Sequence, residues 1–402
     1  MNRNSALITY LSIALLVVFA IYAASDIFNH PEKRQWDFKS YYYAAKAAET
    51  GANAYDPVEL RRFSGDGHNV LPYVYPPPTL TFFRVFALFS YPVAYQIWLV
   101  FKLLLLAGLI LIWRNWILPE KPALWFYLFI VFAFGATVYF DLVTGNITIL
   151  EQFLLWLGCA FLLRARPLAF CICLLLASCF KITPIVFLLL LPAIGMPRAW
   201  RYLGYTTFAF ASLGTISYLI DPAGWQNFFA SLSAVDEPGI LNNPSLLSLL
   251  KDLLYSIAAK WGGRVPGMIP FVFYLAVAAL ILQYSVRSWR AIRVAQSPQR
   301  RILVLFLFCI TYALIMPRFK TYAFILLIPA AYFTICQSAR MPAFLLLLAL
   351  MSLKDSSSLP IDPFPKLFWQ YFPYLLTLMI WLLLSRHIKA TADGESSLPS
   401  TG

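Results

Sequence analysis

Residues 5–24 read SALITYLSIALLVVFAIYAA, and no charged side chain interrupts them. At 1.5 Å per residue, a helix of this length covers a hydrocarbon core of about 30 Å. The run exceeds the apolar region of a secretory signal, and no small-x-small cleavage site separates it from the charged loop that follows, so it reads as a retained membrane helix. Comparable runs recur at 93–113, 123–140, 147–163, 167–180, 183–196, 200–220, 268–286, 302–316, 321–337, 341–353 and 368–385. The chain is 61% hydrophobic and 12% charged, too apolar for a soluble domain of 402 residues. The expected fold is an all-α polytopic membrane protein with about twelve spans.

The net charge of +13 does not point to nucleic acid, because the basic residues stand at helix ends and form no basic face or tract. They report orientation. With Arg3 in the cytoplasm, the turns on that side carry Arg114, Lys121, Arg164, Arg166, Arg198, Arg201, Arg287, Arg290, Arg293, Arg300, Arg301, Arg340, Arg386 and Lys389. The opposite segments hold most of the acids, including Asp26, Glu32, Asp37, Glu49, Asp56, Glu59 and Asp66. This positive-inside asymmetry places both termini in the cytoplasm and the segments 25–92 and 221–267 outside as two structured loops. Residues 1–390 read as one transmembrane domain and 391–402 as a disordered tail. Cys159, Cys171, Cys173, Cys179, Cys309 and Cys336 all fall within apolar segments, where they serve as small core residues and not as a disulfide or zinc framework.

Long ordered loops on a rigid scaffold are where sites are usually built, so chemistry is expected outside. In Trp36-Asp37-Phe38-Lys39-Ser40-Tyr41-Tyr42-Tyr43-Ala44-Ala45, a carboxylate lies beside the membrane among aromatic rings. Residues 38–50 lack proline and glycine and precede Gly51, a pattern that predicts a helix with Asp37 as its N-cap. Capping alone accounts for such an aspartate; partly dry surroundings add the chance of a perturbed, useful carboxylate. Tyr73-Val74-Tyr75-Pro76-Pro77-Pro78 is a stiff extended stretch leading into an apolar helix over 79–89, too short to span and carrying Arg84, which can snorkel to phosphate.

Ionisable groups at membrane depth are costly. Asp141 falls at the outer end of the third span, and Lys181 separates two apolar halves at Phe180-Lys181-Ile182-Thr183-Pro184. Glu151 and Lys102 lie within spans and carry no assigned role. Arg318 and Lys320 flank Phe319 in Met316-Pro317-Arg318-Phe319-Lys320-Thr321-Tyr322, on the side where the charge rule least expects cations, so an anion is the natural partner.

Taken in order, several short patterns together resemble glycosyltransferase family 87, of the GT-C fold. They are Asp37 with its tyrosines, Gly51 through Tyr55-Asp56-Pro57, Tyr75-Pro76-Pro77, Gly145-Asn146, Lys181-x-Thr183-Pro184, Asn242-Asn243-x-Ser245-Leu246, Pro317 with Tyr322, and Leu326-Leu327-x-Pro329-Ala330. Two stretches depart from the family pattern: its usual Gly-Gln-x-Asn is here Gly145-Asn146-Ile147-Thr148, and Arg318-Phe319-Lys320 replaces an aromatic or histidine-bearing stretch. The resemblance implies an inverting transferase that moves mannose or another hexose from a polyprenyl-phosphate donor to a lipid or glycan acceptor hydroxyl at the outer face of a bacterial plasma membrane. It implies Asp37 as general base, with Arg318, Lys320, Lys181 and Arg84 as cations for the departing phosphate. Tyr41, Tyr42, Tyr75, Asp141, Asn146, Asn243 and Tyr322 become substrate contacts. No metal or cofactor is implied, and the partners are the lipid-linked donor, the acceptor and membrane lipid.

Two other classes fit the composition. A multi-pass transporter is expected to show symmetry between halves, and no convincing repeat is present. A lipid-linked polysaccharide polymerase or ligase typically places its large loop late, whereas here the largest is first.

Overall fold

The computed structural model describes residues 3–29, 34–65, 70–120, 124–234, 243–263, 265–294, 299–338, 346–347, 349–351 and 363–396. Among these every element is helical. Five helices are long and apolar enough to cross a membrane: Tyr91–Ile117, Trp125–Thr144, Ala199–Ile220, Met268–Arg293 and Leu367–Thr391. Shorter apolar helices occupy Ile13–Ile27, Thr148–Leu163, Pro167–Phe180, Thr183–Ile194 and Thr321–Gln337. The expected span at 341–353 lies largely outside the described residues.

The chain forms two compact units, one of Met1–Ile117 with Tyr139–Asp236 and one of Leu118–Val138 with Glu237–Gly402. The first contains α1 (Arg3–Asn29), α2 (Trp36–Glu49), α3 (Pro57–Ser64), α4 (Pro78–Ala87), α5 (Tyr91–Ile112), the end of α6 (Trp125–Thr144), α7 (Thr148–Leu163), α8 (Pro167–Phe180), a 3-10 turn at Thr183–Leu189, α9 (Leu190–Ile194), α10 (Ala199–Ile220) and α11 (Pro222–Ala234). Here α7 packs along α5 and α8, while α2 packs on α3 and α4.

The first loop folds for local reasons. Asp56 Oδ1 accepts from Val58 N at 2.8 Å, Pro57 opens α3 without a missing donor, and Gly65 closes it at φ 69°. Pro78 opens α4 in the same way, and that helix runs Pro78–Ala87, close to the expected 79–89. Helix α2 departs from expectation at its start. Gln35, not Asp37, precedes the helix, in a left-handed conformation at φ 59°, and Asp37 sits inside the first turn. A carboxylate there still faces the positive end of the helix dipole. Phe38, Phe83 and Trp98 are fully buried; the Phe38 and Trp98 rings stack at 5.4 Å and 10°, and Phe83 and Phe86 meet Trp98 edge-on. Each such side chain contributes about 1.5–3 kcal/mol by burial, so this aromatic cluster welds the loop to α5.

The second unit contains the start of α6, α12 (Leu246–Lys260), α13 (Met268–Val294), α14 (Arg300–Ile315), a 3-10 turn at Thr321–Leu327, α15 (Ile328–Gln337) and α16 (Pro363–Ser396). Helices α13, α14 and α16 pack on one another. Helix α6 is broken at 133–136, where Phe134, Gly135 and Ala136 take φ of 53°, 72° and 61°. Phe134 packs on Phe324, and Thr137 Oγ1 donates to Thr321 O at 2.5 Å, so the break in α6 is matched to the 3-10 turn. Helix α16 continues through residues 391–396, expected to be disordered tail, with Thr391 Oγ1 donating to His387 O at 2.9 Å.

Candidate active site

The site is built where α6 ends and α7 begins. A helix terminus leaves its last carbonyls without intrahelical donors, and four donors from elsewhere in the unit meet them. Lys102 Nζ donates to Asp141 O at 2.6 Å, Gln35 Nε2 to Leu142 O, Gln35 N to Val143 O at 2.7 Å, and Trp98 Nε1 to Gly145 O at 2.9 Å. Gln35 therefore ties the first loop to the end of α6 and sets Asp37, two residues on, beside the α6–α7 turn. Gly145 makes the approach possible. Its φ is +71°, and a Cβ there would lie 2.9 Å from Phe38 Cβ and collide with the Gln35 carboxamide.

The next residue, Asn146, is 2% exposed and reaches back to the loop. Its Nδ2 donates to Asp37 Oδ2 at 2.7 Å and lies 3.2 Å and 3.3 Å from the Tyr41 and Tyr75 hydroxyls. The Tyr41 hydroxyl donates to that of Tyr75 at 2.9 Å, and the Tyr55 hydroxyl donates to Tyr75 O at 2.9 Å. Asp37 itself is half-buried. Burial raises the Tyr75 phenol above its ordinary value, with Lys181 opposing and Asp37 adding to the shift, so Tyr75 stays a neutral hydroxyl.

Four of the residues singled out in the sequence, Asp37, Tyr41, Tyr75 and Asn146, are thus joined through the Asn146 amide. Others in this unit have different work. Asp141 is fully buried and its carboxylate lies 2.6 Å from Lys102 Nζ; it joins α6 to α5 and is not open to a substrate. The Tyr42 hydroxyl, expected as a substrate contact, donates to Phe89 O at 2.8 Å and anchors the loop. Lys181, expected as a lipid-phosphate contact, lies 2.7 Å from Glu151 Oε2 and 2.6 Å from Thr148 Oγ1. Arg84 is exposed and lines a cavity of about 870 Å³ bounded by Pro76–Pro78, α8, α10 and α11. The walls are mostly apolar, with Leu80, Ile182, Phe210, Leu213 and Ile216 among them.

In the second unit, Asn243 and Ser245 form a clasp. Asn243 Oδ1 accepts from Phe319 N at 2.9 Å, Asn243 Nδ2 donates to Ser248 Oγ at 2.9 Å, and Ser245 Oγ donates to Pro317 O at 2.7 Å. Asn243, expected as a substrate contact, is buried and holds the 317–319 turn. That turn carries Arg318 exposed and Lys320 half-buried, and Tyr322 is half-buried in the 3-10 turn that follows.

Sequence reading missed Gln35, noted Thr148 only as part of a stretch that departs from the family pattern, and left Glu151 and Lys102 without partners. A mid-span lysine and a mid-span glutamate are each a signal that an opposite charge lies across a helix interface; which charge pairs with which is decided by packing.

No curated protein and no solved structure matches the chain. Glycosyltransferase family 87 matches it over residues 73–317, a stretch that contains Tyr75, Asn146, Lys181 and Asn243 and begins after Asp37. Since that match spans more than half of the chain, the protein belongs to glycosyltransferase family 87.

Proposed function

We propose that this glycosyltransferase takes mannose or another hexose from a polyprenyl-phosphate donor and transfers it, with inversion, to a hydroxyl of a glycolipid or glycan acceptor at the extracytoplasmic face of the membrane. The observation that carries this reading is the Asp37 carboxylate, half-buried on a loop helix and held by Asn146 where two apolar helices meet. A single carboxylate so placed suits a one-step displacement. Asp37 takes the proton of the acceptor hydroxyl as its oxygen bonds to the anomeric carbon, and the bond from that carbon to the donor phosphate breaks with the electron pair leaving on the phosphate.

The apolar cavity with Arg84 at its wall supports a lipid-linked donor, since an isoprenoid chain needs apolar walls and a phosphate needs a cation. Arg318 and Lys320 are proposed as further phosphate contacts on the strength of their charge. The protein reconstituted in lipid nanodiscs is to be offered synthetic farnesyl-phosphate sugars, with mannose, glucose, galactose and arabinose compared. Transfer to an acceptor or to water from at least one, lost in Asp37→Asn, is expected. Equal turnover by Asp37→Asn removes the aspartate from the base role.

A further inference from the structure

Between the Lys181–Glu151 pair and Asp37 runs an unbroken series of hydrogen bonds whose direction is fixed at each link. An ammonium has donors only, so in the 2.6 Å contact of Lys181 Nζ with Thr148 Oγ1 the hydroxyl oxygen accepts. The single hydroxyl proton of Thr148 is then directed at Asn146 Oδ1, 2.7 Å away, and the Thr148 backbone N–H donates to the same oxygen at 3.0 Å. An amide whose oxygen is held by two donors presents its NH2 the other way, where it meets Asp37 Oδ2 at 2.7 Å. Turning the amide by half a revolution would set Oδ1 against a carboxylate and Nδ2 against an N–H, repulsive at both ends. The Tyr41 and Tyr75 hydroxyls near Nδ2 can rotate to suit either arrangement, so they do not choose between the two.

The upstream end is equally fixed. Glu151 stands three residues after Thr148 on α7, on the same helical face, and its carboxylate lies 2.7 Å from Lys181 Nζ. Lys181 is carried where α8 gives way to the 3-10 turn, immediately before Ile182-Thr183-Pro184. The ammonium is thus shared between a carboxylate that holds it and a hydroxyl that it orients.

We propose that Thr148, oriented by Lys181 and Glu151, is a positioning residue for Asp37: it locks the Asn146 amide with its NH2 toward the carboxylate. The role as a positioning residue rests on the reading of Asp37 as the base, whereas the lock itself is a matter of hydrogen-bond geometry. Among the described residues, the titratable or charged groups around Asp37 include the Tyr41 and Tyr75 phenols and Lys102 of α5, which feels its charge. Lys102 is committed to Asp141.

The test follows the Asp37 carboxyl by infrared difference spectroscopy of the whole protein in nanodiscs during a pH titration, with Asp37→Asn subtracted and no substrate present. Thr148→Val keeps the shape of the side chain and removes the hydroxyl, leaving Asn146 Oδ1 only the backbone N–H; the midpoint is expected to move to higher pH, because the NH2 on the carboxylate is held less firmly. Thr148→Ser restores the wild-type midpoint. Should Thr148→Val fail to fold, the double variant Glu151→Gln/Lys181→Met removes the pair together, leaves no buried charge unpaired, and is expected to shift the midpoint in the same direction. Transfer from farnesyl-phosphate-mannose is measured in parallel. Turnover falls about tenfold in Thr148→Val, the loss of roughly one charge-assisted hydrogen bond, with donor KM held within about twofold, and Thr148→Ser recovers most of it. Midpoints that stay at the wild-type value in both the valine and the double variants overturn the lock. A shifted midpoint in variants of a protein whose Asp37→Asn form keeps its turnover leaves the lock standing and removes the base.

Discussion

Among the described residues, two ion pairs of the first unit, Lys102–Asp141 and Lys181–Glu151, do different work. Lys102 and Asp141 are sealed, with side chains 1% and 0% exposed, and Lys102 spends its remaining reach on the Asp141 backbone carbonyl. Lys181 and Glu151 are 21% and 9% exposed, and Lys181 reaches beyond its partner to Thr148 and through it toward Asp37. The first pair keeps both charges inside the protein and fastens α5 to the end of α6. The second passes a hydrogen-bond direction onward. A closed pair belongs to the scaffold; an open one can serve a site.

The largest effect is expected where the closed pair is broken. Lys102→Met leaves a carboxylate buried without its cation, at a cost of about 3–5 kcal/mol, read as a lowered melting temperature in nanodiscs. Adding Asp141→Asn should recover much of that loss, as expected for two groups that couple directly. Melting of Lys102→Met at the wild-type temperature would erase the distinction between the pairs.

Asp37→Asn acts at the far end of the open chain. Turnover is expected to fall by about a hundredfold or more, the usual range for a lost general base, while the melting temperature stays near wild type because the amide preserves the shape. Activity and stability then separate across the two pairs.

Gly145 stands between them. Gly145→Ala imposes a Cβ at φ +71° against Phe38 and Gln35, with an expected cost of about 2 kcal/mol from the backbone conformation and the crowding combined. Thermal melting should show that loss, and donor turnover should drop with it because Asn146 moves with the turn. An alanine variant as stable and active as wild type would mean that the loop can retreat from α6 without penalty.

The smallest effect is assigned to Arg84, which lies in neither pair. Arg84→Ala should raise donor KM by about three- to tenfold with turnover kept, the expected loss for one exposed cation on a phosphate. An unchanged KM would empty the cavity of its proposed headgroup contact.

Much of the fold was legible in the sequence. The apolar runs mark helices wherever the chain is described, because a bilayer forces every backbone donor and acceptor to be met within its own segment. Asp56-Pro57 and Gly65 bound α3 as local capping chemistry requires. The start of α2 was legible only to within two residues, since Gln35 caps it through a left-handed backbone and makes no side-chain bond to the helix. Asp37 and Asn146 could each be singled out alone. Their contact spans 109 residues of chain, and no local pattern encodes such a separation. Asn243 was read from the resemblance as a substrate contact, and only the Phe319 N–H at its Oδ1 identifies it as a clasp.

The sequence by itself determined that this is a helical membrane protein with a carboxylate-bearing first loop, because hydrophobic run length, proline and glycine act on their immediate neighbours. The tertiary structure decided which polar groups are scaffold and which belong to the site. Lys102, Asp141, Glu151 and Lys181 are alike in the sequence as isolated charges among apolar residues, and low dielectric compels each to find a partner. Which partner it finds depends on how α5, α6, α7 and α8 pack, and that choice seals one pair and leaves the other pointing, through Thr148 and Asn146, at Asp37.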